Sequence, residues 1–541
     1  MFYLVLAGIA LIGLLMTLFQ MRHHPKGLFI LFFAEMWERF SYYGMRALLV
    51  LYLTQHFLFS ETAAYGLYGA YTTLVYILPV IGGVLADRYL GQRQAVTIGA
   101  LLLVAGHGLM AVEGDQVQPG GSPDTFVINT FYMALALIIM GVGFLKANIS
   151  TIVGELYSKT DTRRDGAFTL FYVGINLGAA FGALLAGYLG ETFGWKYGFG
   201  LAGIGMLAGL VVFVLGKPLL KGAGESPNPE LLNRKRFAGL STRWLIYIGT
   251  LIGTIFVWWV VRDQQTVNVL LMIAGALTVG YILFRSVFTL DPHARDRIFA
   301  AMFLISVQVL FWALFEQTGS SLNIYTRDEV DRTIFGQEIV TSVFQSINAI
   351  YIILLGPLFA MSWVWLGKRG LEPTAPQKFG LGVIQLGLGF LVLVWGANMA
   401  GAGALTPVIF IFLIYLLHTT GELCLSPVGL SAMTRLSTSS MVGLIMGTWF
   451  LASGAGNAVA ALIAQATAAE GPNGESLVLQ VYSNVGWLAI AVGIGLIVVS
   501  PLINYLMHLK TLKDEHPLAG EGEIGEPMGP GIHPGQKRPA E

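Results

Sequence analysis

The chain has 541 residues, of which 55% are hydrophobic and only 11% charged, with a mean hydropathy of +0.69. A soluble domain carries roughly 25% charged residues, so this chain cannot coat itself for water. Its zero formal net charge excludes the basic balance of a nucleic-acid binder, and its single cysteine, Cys424, excludes an intramolecular disulfide and any cysteine-based metal spacing.

The chain opens on an uncharged run, residues 1–20, ahead of Arg22. It lacks the basic n-region and small-residue cleavage site of a signal peptide, so it reads as an additional helix, either spanning or lying at the interface. Apolar segments of about 20 residues, long enough for a hydrocarbon core of about 30 Å, then recur at 27–57, 62–87, 94–113, 126–154, 167–190 and 197–216. A basic stretch with Pro227 and Pro229 follows, then two spans at 244–261 and 267–287. Six more come at 298–325, 338–366, 379–399, 406–434, 441–467 and 479–507. The predicted fold class is therefore an all-α polytopic membrane protein: two six-helix bundles with an inserted two-helix hairpin. Its parts are an extra N-terminal hydrophobic segment (1–25), an N-terminal bundle (26–217), a linker and hairpin (218–296), a C-terminal bundle (297–507) and a disordered cytoplasmic tail (508–541), rich in Pro, Gly and Glu. Two bundles around a central site are a common plan for alternating access.

Sorting the loops alternately puts twenty Lys and Arg on one side and only Lys196, Arg262, Arg327 and Arg332 on the other. By the positive-inside rule the richer side is cytoplasmic, and so is the C-terminus. In the fifth span Gly174, Gly178, Gly182 and Ala186 recur every four residues, a row that lets two helix backbones approach closely. Gly198, Gly200 and Gly203 spell GxGxxG inside an apolar span, the wrong context for a dinucleotide site. Asn148-Ile149-Ser150 is a glycosylation sequon by pattern only.

An ionised side chain at mid-bilayer costs at least about 2.5–3.5 kcal/mol on insertion scales, so each one needs a reason. Seven stand out: Glu35, Glu38, Arg39 and Arg46 on the first bundle span, Lys146, Glu316 and Glu422. At about 100° per residue, Glu35, Glu38, Arg39, Tyr42, Tyr43 and Arg46 share one arc of roughly 140°. Such a stripe must face a bundle interior or a water-filled cavity. Its plain structural reading is a static charge network. Against that, four carboxylates and three cations leave one negative charge, which a single proton would neutralise. The aromatics Tyr42, Tyr43, Tyr76, Trp312 and Trp449 and the polar Asn176, Asn348 and Ser453 lie on the same or adjoining spans. An isolated Asn in an apolar span is usually interhelical glue.

The segment Glu35-Met36-Trp37-Glu38-Arg39-Phe40-Ser41-Tyr42-Tyr43 resembles the ExxERFxYY motif of the proton-dependent oligopeptide transporter (POT/PTR) family of the major facilitator superfamily. The stretches from Gly82 to Gly91 and from Phe171 to Gly178 resemble two further family signatures, and the inserted hairpin is typical of bacterial members. The resemblance implies a proton-coupled symporter of di- and tripeptides in the bacterial inner membrane, with peptides and protons as its ligands, membrane lipid around it and no cofactor, working as a monomer. It implies that Arg46 and Lys146 receive the peptide carboxylate. Glu422 with Asn176 and Asn348 would hold the amino group, and Tyr42, Tyr43, Tyr76, Trp312, Trp449 and Ser453 would line the pockets. Glu35, Glu38 and Arg39 would form the proton-responsive cluster, with Glu316 pairing with Arg46 or Lys146 in the empty transporter. Where mammalian-type members carry a histidine this chain has Gly69, so coupling here would rest on carboxylates. A member moving another small solute, such as nitrate or an amino-acid derivative, is the alternative. A membrane-embedded enzyme or receptor is disfavoured because no HExxH, GxSxG or Walker loop is present.

Overall fold

The computed structural model describes residues 1–158, 161, 163–236, 239–401, 403–438, 441–471 and 476–509. Lys159, one of the basic residues counted above, and the tail from residue 510 onward lie outside them.

Every expected span is a helix. They are α1 (Phe2–Met21), α2 (Lys26–Gln55), α3 (Glu61–Leu90), α4 (Gln92–Met110), α5 (Thr125–Glu155), α6 (Gly166–Phe193), α7 (Trp195–Leu220), α8 (Thr242–Val260), α9 (Gln264–Thr289), α10 (Pro292–Asp328), α11 (Thr341–Gly367), α12 (Ala375–Ala400), α13 (Ile409–Leu436), α14 (Val442–Thr467) and α15 (Val478–Leu506). All but α2 pass as candidate membrane spans on length and hydropathy. α2 is as long and as buried as its neighbours, but its charged stripe lowers its hydropathy.

Two boundaries move for a local reason. Residues 330–338, expected to lead into the tenth span, instead form a small hairpin, with Thr333–Ile334 paired to Gln337–Glu338 around the left-handed Phe335 and Gly336. Val330–Asp331 pairs in parallel with Thr406–Pro407, which delays the start of α13 to Ile409. A further departure is a break inside α10. The helix tightens to a 3₁₀ turn over Glu316–Gly319 and leaves helical dihedrals at Ser320 before resuming at Ser321. Non-helical backbone at such depth is tolerated where it is buried in protein or lines a cavity.

Helices α2–α7 enclose one apolar core and α10–α15 a second. In the first half α2 packs on α6 and α7, and α5 on α3 and α4; in the second, α12 packs on α13 and α15. The halves meet where α3 lies against α14 and α6 against α11. The α8–α9 hairpin is mostly exposed and rests on α5, α3 and α14. α1 runs alongside α6 and α11 rather than across their ends. Phe2 touches Phe344 and Phe412 at one end, and a Cβ on Gly13 would lie 3.5 Å from Leu177 and 3.6 Å from Ile353 midway.

Candidate transport site between the halves

The small-residue row on α6 is what places the charged stripe of α2. Gly174 abuts the Phe32 ring, Gly178 the Met36 carbonyl and the Arg39 Cβ, and Gly182 the Phe40 carbonyl; from the other side, Gly44 faces Ala186. The two backbones are so close that Glu35, Glu38 and Arg39 are held in a fully enclosed seam, each no more than 5% exposed. Arg39 Nε donates to Glu35 Oε1 at 2.7 Å and stands 3.1 Å from Glu38 Oε2. One guanidinium thus faces two carboxyl groups.

Two turns further along α2, Arg46 pairs through its Nη2 with Glu316 of α10, across the two halves, while its Nε donates to Tyr68 Oη at 2.6 Å. Both partners of the pair are buried. Of the two pairings the family resemblance offered for Glu316, the one with Arg46 is formed. The Glu316 side chain sits where α10 breaks, so the break delivers a carboxylate to the seam. Lys146 of α5 instead puts its Nζ 3.8 Å from the centroid of the Tyr76 ring, with Arg39, Glu38, Glu35 and Glu316 as its electrostatic neighbours. In the second half, Asn348 Nδ2 donates to Glu422 Oε2 at 3.1 Å and to Thr419 Oγ1 at 3.0 Å.

Burial sorts the expected residues into two groups. Lys146, Glu422, Asn348, Tyr43, Tyr76 and Trp312 are half-buried. Tyr172 of α6 is 45% exposed, although Glu422 in the opposite half is among its electrostatic neighbours, so its exposure is to a space between the halves. The six half-buried side chains come from both halves. Tyr42, Asn176, Trp449 and Ser453 are buried instead. Tyr42 packs edge-on to Tyr43 and against Tyr71, Asn176 donates to the Tyr172 carbonyl of its own helix at 3.0 Å, and Ser453 accepts from Gln308 Nε2 at 2.6 Å.

The opening faces the basic end of the molecule. Hydrogen bonds between the halves gather from mid-depth to the opposite end: Thr73 to the Gly454 carbonyl, Asn323 and Gln345 to the Ala47 carbonyl, Arg327 to Thr54 and Gln465 to the Thr62 carbonyl. Gly69 belongs to this closed side. A Cβ there would run into Ala461 of α14, so a histidine does not fit at that position in this conformation.

A family model described as the POT family matches residues 93–497. The chain belongs to the POT family. The match excludes the α2 motif by position and so is independent of it. Among curated proteins, this POT-family chain is 37% identical to the uncharacterized transporter YclF of Bacillus subtilis, over 90% of this chain and 95% of that one. It is 36% identical to the peptide transporter YePEPT of Yersinia enterocolitica (81% and 87%) and 31% identical to dipeptide and tripeptide permease B of Salmonella typhimurium (90% and 96%). Among solved structures, a mutant POT peptide transporter in complex with alafosfalin superposes with a TM-score of 0.77 at 36% identity, covering 90% of this chain and 96% of that one. The two-bundle major-facilitator architecture expected from the span count is thus the fold of its relatives.

Sequence reasoning misses several residues. Tyr68 escapes it because an aromatic in an apolar span has no distinguishing mark, yet it takes one of the Arg46 donors. Gln308 does carry a signal, a lone amide in an apolar span, the same mark that singles out Asn176 and Asn348. It ties α10 to α14 through Ser453 and the Trp449 carbonyl. Thr419 lies one turn before Glu422 and shares its Asn348 partner.

Proposed function

We propose that this chain is a proton-coupled symporter that imports di- and tripeptides across the bacterial inner membrane by alternating access, working as a monomer. The observation that carries this reading is the polarity of the opening. Cations, Arg46 and Lys146, come from the first half, and the Asn348-held Glu422 comes from the second. A zwitterionic peptide matches that arrangement end to end. Arg46 and Lys146 receive its carboxylate by charge-assisted contacts, and Glu422 with Asn348 and Asn176 receives its amino group. Tyr43, Tyr76 and Trp312 line the side-chain space, with Tyr42, Trp449 and Ser453 forming its wall. The relatives named as peptide transporters and as a dipeptide and tripeptide permease support the same substrate class.

The moving units are residues 26–217 and 297–507, with the basic end cytoplasmic, so the present conformation is inward-open. Proton coupling follows from competition for cations. Burial penalises a lone carboxylate's charge and a nearby cation restores it. When Arg46 turns to a peptide carboxylate, Glu316 loses its partner and takes a proton instead. Glu35 and Glu38, sharing Arg39, hold a second titratable position nearer the cytoplasm. The inward drive is about 2.3 kcal/mol per proton charge for each 100 mV and about 1.4 kcal/mol per pH unit. Counterflow of a labelled dipeptide in proteoliposomes, with and without an imposed pH gradient, tests the reading. Exchange without uphill accumulation of the dipeptide under an inward proton gradient would remove the coupling, and no exchange would remove the substrate. Adding 5-aminolevulinic acid as a competitor probes the smaller-zwitterion alternative, because one structural neighbour is described in complex with it.

A further inference from the structure

The helix α11 begins at the closed end with three consecutive backbone N–H groups that its own ladder cannot satisfy. All three are taken by oxygens from elsewhere. Val340 N donates to Tyr3 Oη of α1 at 3.1 Å. Thr341 N donates to Glu191 Oε2 at 3.2 Å, and Ser342 N to Glu191 Oε1 at 2.6 Å. Glu191 is the last acidic residue of α6, in the first half, whereas α11 belongs to the second. A carboxylate normally supplied at a helix start by a neighbouring residue of the same chain segment is here supplied across the interface between the two halves.

The approach is built in. Gly187, one turn before Glu191, faces Ser342, and a Cβ at that position would press on the Ser342 side chain. Tyr3 meets the Tyr188 ring edge-on with centroids 5.0 Å apart, so α1 rests on both halves at this point. The titratable or charged groups facing Glu191 among the described residues are Arg332 of the 330–338 hairpin and Tyr3 of α1, which itself meets Tyr188 of α6. Arg332 itself is bound to Glu338 Oε1 at 2.6 Å and to the Ile339 carbonyl at 2.7 Å. The countercharge of Glu191 is therefore chiefly the positive end of α11.

We propose that Glu191, assisted by Tyr3, is a latch that holds the outer side closed and so positions the inward–outward equilibrium of transport. This rests on the alternating-access reading above. Opening the outer side separates α6 from α11 and returns three N–H groups and one carboxylate to water, whereas closing it caps the helix. The peptide and proton residues described earlier are untouched by this contact, so the latch sets which face is open rather than what is bound.

The test uses the full-length protein in proteoliposomes, with spin labels at Asp115 and Gln337, exposed positions at the outer ends of the two halves. Interspin distances are compared for the parent, Glu191→Ala, Glu191→Gln and Tyr3→Phe. An N-cap removed by alanine is worth about 1 kcal/mol, so Glu191→Ala should raise the ratio of outer-open to outer-closed molecules about five-fold. Glu191→Gln, which keeps one acceptor oxygen, should fall between, and Tyr3→Phe should shift the ratio less than either. A lower melting temperature with an unchanged distance distribution would show Glu191 to be merely structural and overturn the latch. If Glu191→Ala does not fold, Glu191→Gln carries the same readout. Dipeptide counterflow by the parent is measured alongside. Its absence would sink the transport reading, while the distance shift still decides the latch.

Discussion

The amino-group contact is the sharpest test of binding polarity. Glu422→Gln changes one atom of the site and keeps its shape. The carbonyl of the introduced amide can still accept from Asn348 Nδ2, now 3.1 Å from Glu422 Oε2, so the packing of α11 on α13 should survive. What disappears is the negative charge offered to a peptide ammonium. A hydrogen bond to a charged group contributes about 1.5–3 kcal/mol, which corresponds to about 10- to 150-fold in Kd. The low end is expected, because Glu422 is half-buried at the opening and water partly screens it. The assay is equilibrium binding of one dipeptide and its N-acetylated form to parent and variant in detergent. The free dipeptide should weaken at least about 10-fold, and the acetylated form, which has no ammonium, should change little. Equal weakening of the two ligands would place the amino group elsewhere and refute the polarity assigned to the site.

Three further outcomes are expected. Glu35→Gln or Glu38→Gln should abolish uphill, pH-driven uptake while leaving counterflow largely intact, since exchange moves no net proton; variants that still concentrate peptide would make the Arg39 cluster structural. Deleting the α8–α9 hairpin by joining Leu240 to Asp296 through a flexible linker should retain part of the transport rate, because the hairpin contributes no charged group to the opening; a well-inserted but wholly inactive deletion would count against this. Gly178→Val should lower the melting temperature and reduce driven uptake together, because its side chain must displace the Met36 carbonyl and Arg39 Cβ at an overpacking cost of about 1–3 kcal/mol; a variant of parental stability and activity would show that α2 and α6 can separate freely.

Much of the site was legible because a charge in an apolar helix is conspicuous. The period of α2 alone brought Glu35, Glu38, Arg39 and Arg46 to one face, and the small-residue row of α6 announced a close helix neighbour. The neighbour's identity was not legible: that the row seats against Phe32, Met36 and Phe40 of α2, and so encloses the triplet, depends on how two distant segments pack. Tyr42, Trp449 and Ser453 carried the same residue types as Tyr43 and Trp312, or similar ones, yet they are enclosed rather than open to the cavity. Residue type does not report which side of a helix faces water in one conformation of a two-state machine.

The sequence by itself determined the class, the spans and the inventory of charge within them, because hydropathy and helical period are local properties of the chain. Tertiary structure decided the partners. Glu316 paired with Arg46 rather than with Lys146, Tyr68 took a further Arg46 donor, Asn348 bound Glu422, and Glu191 reached across the halves to cap α11. Each of those contacts joins residues 22 to 270 positions apart, and some join halves that move relative to each other. Such pairings are set by helix packing and by the breaks in it, above all the one at Glu316, which no local pattern encodes.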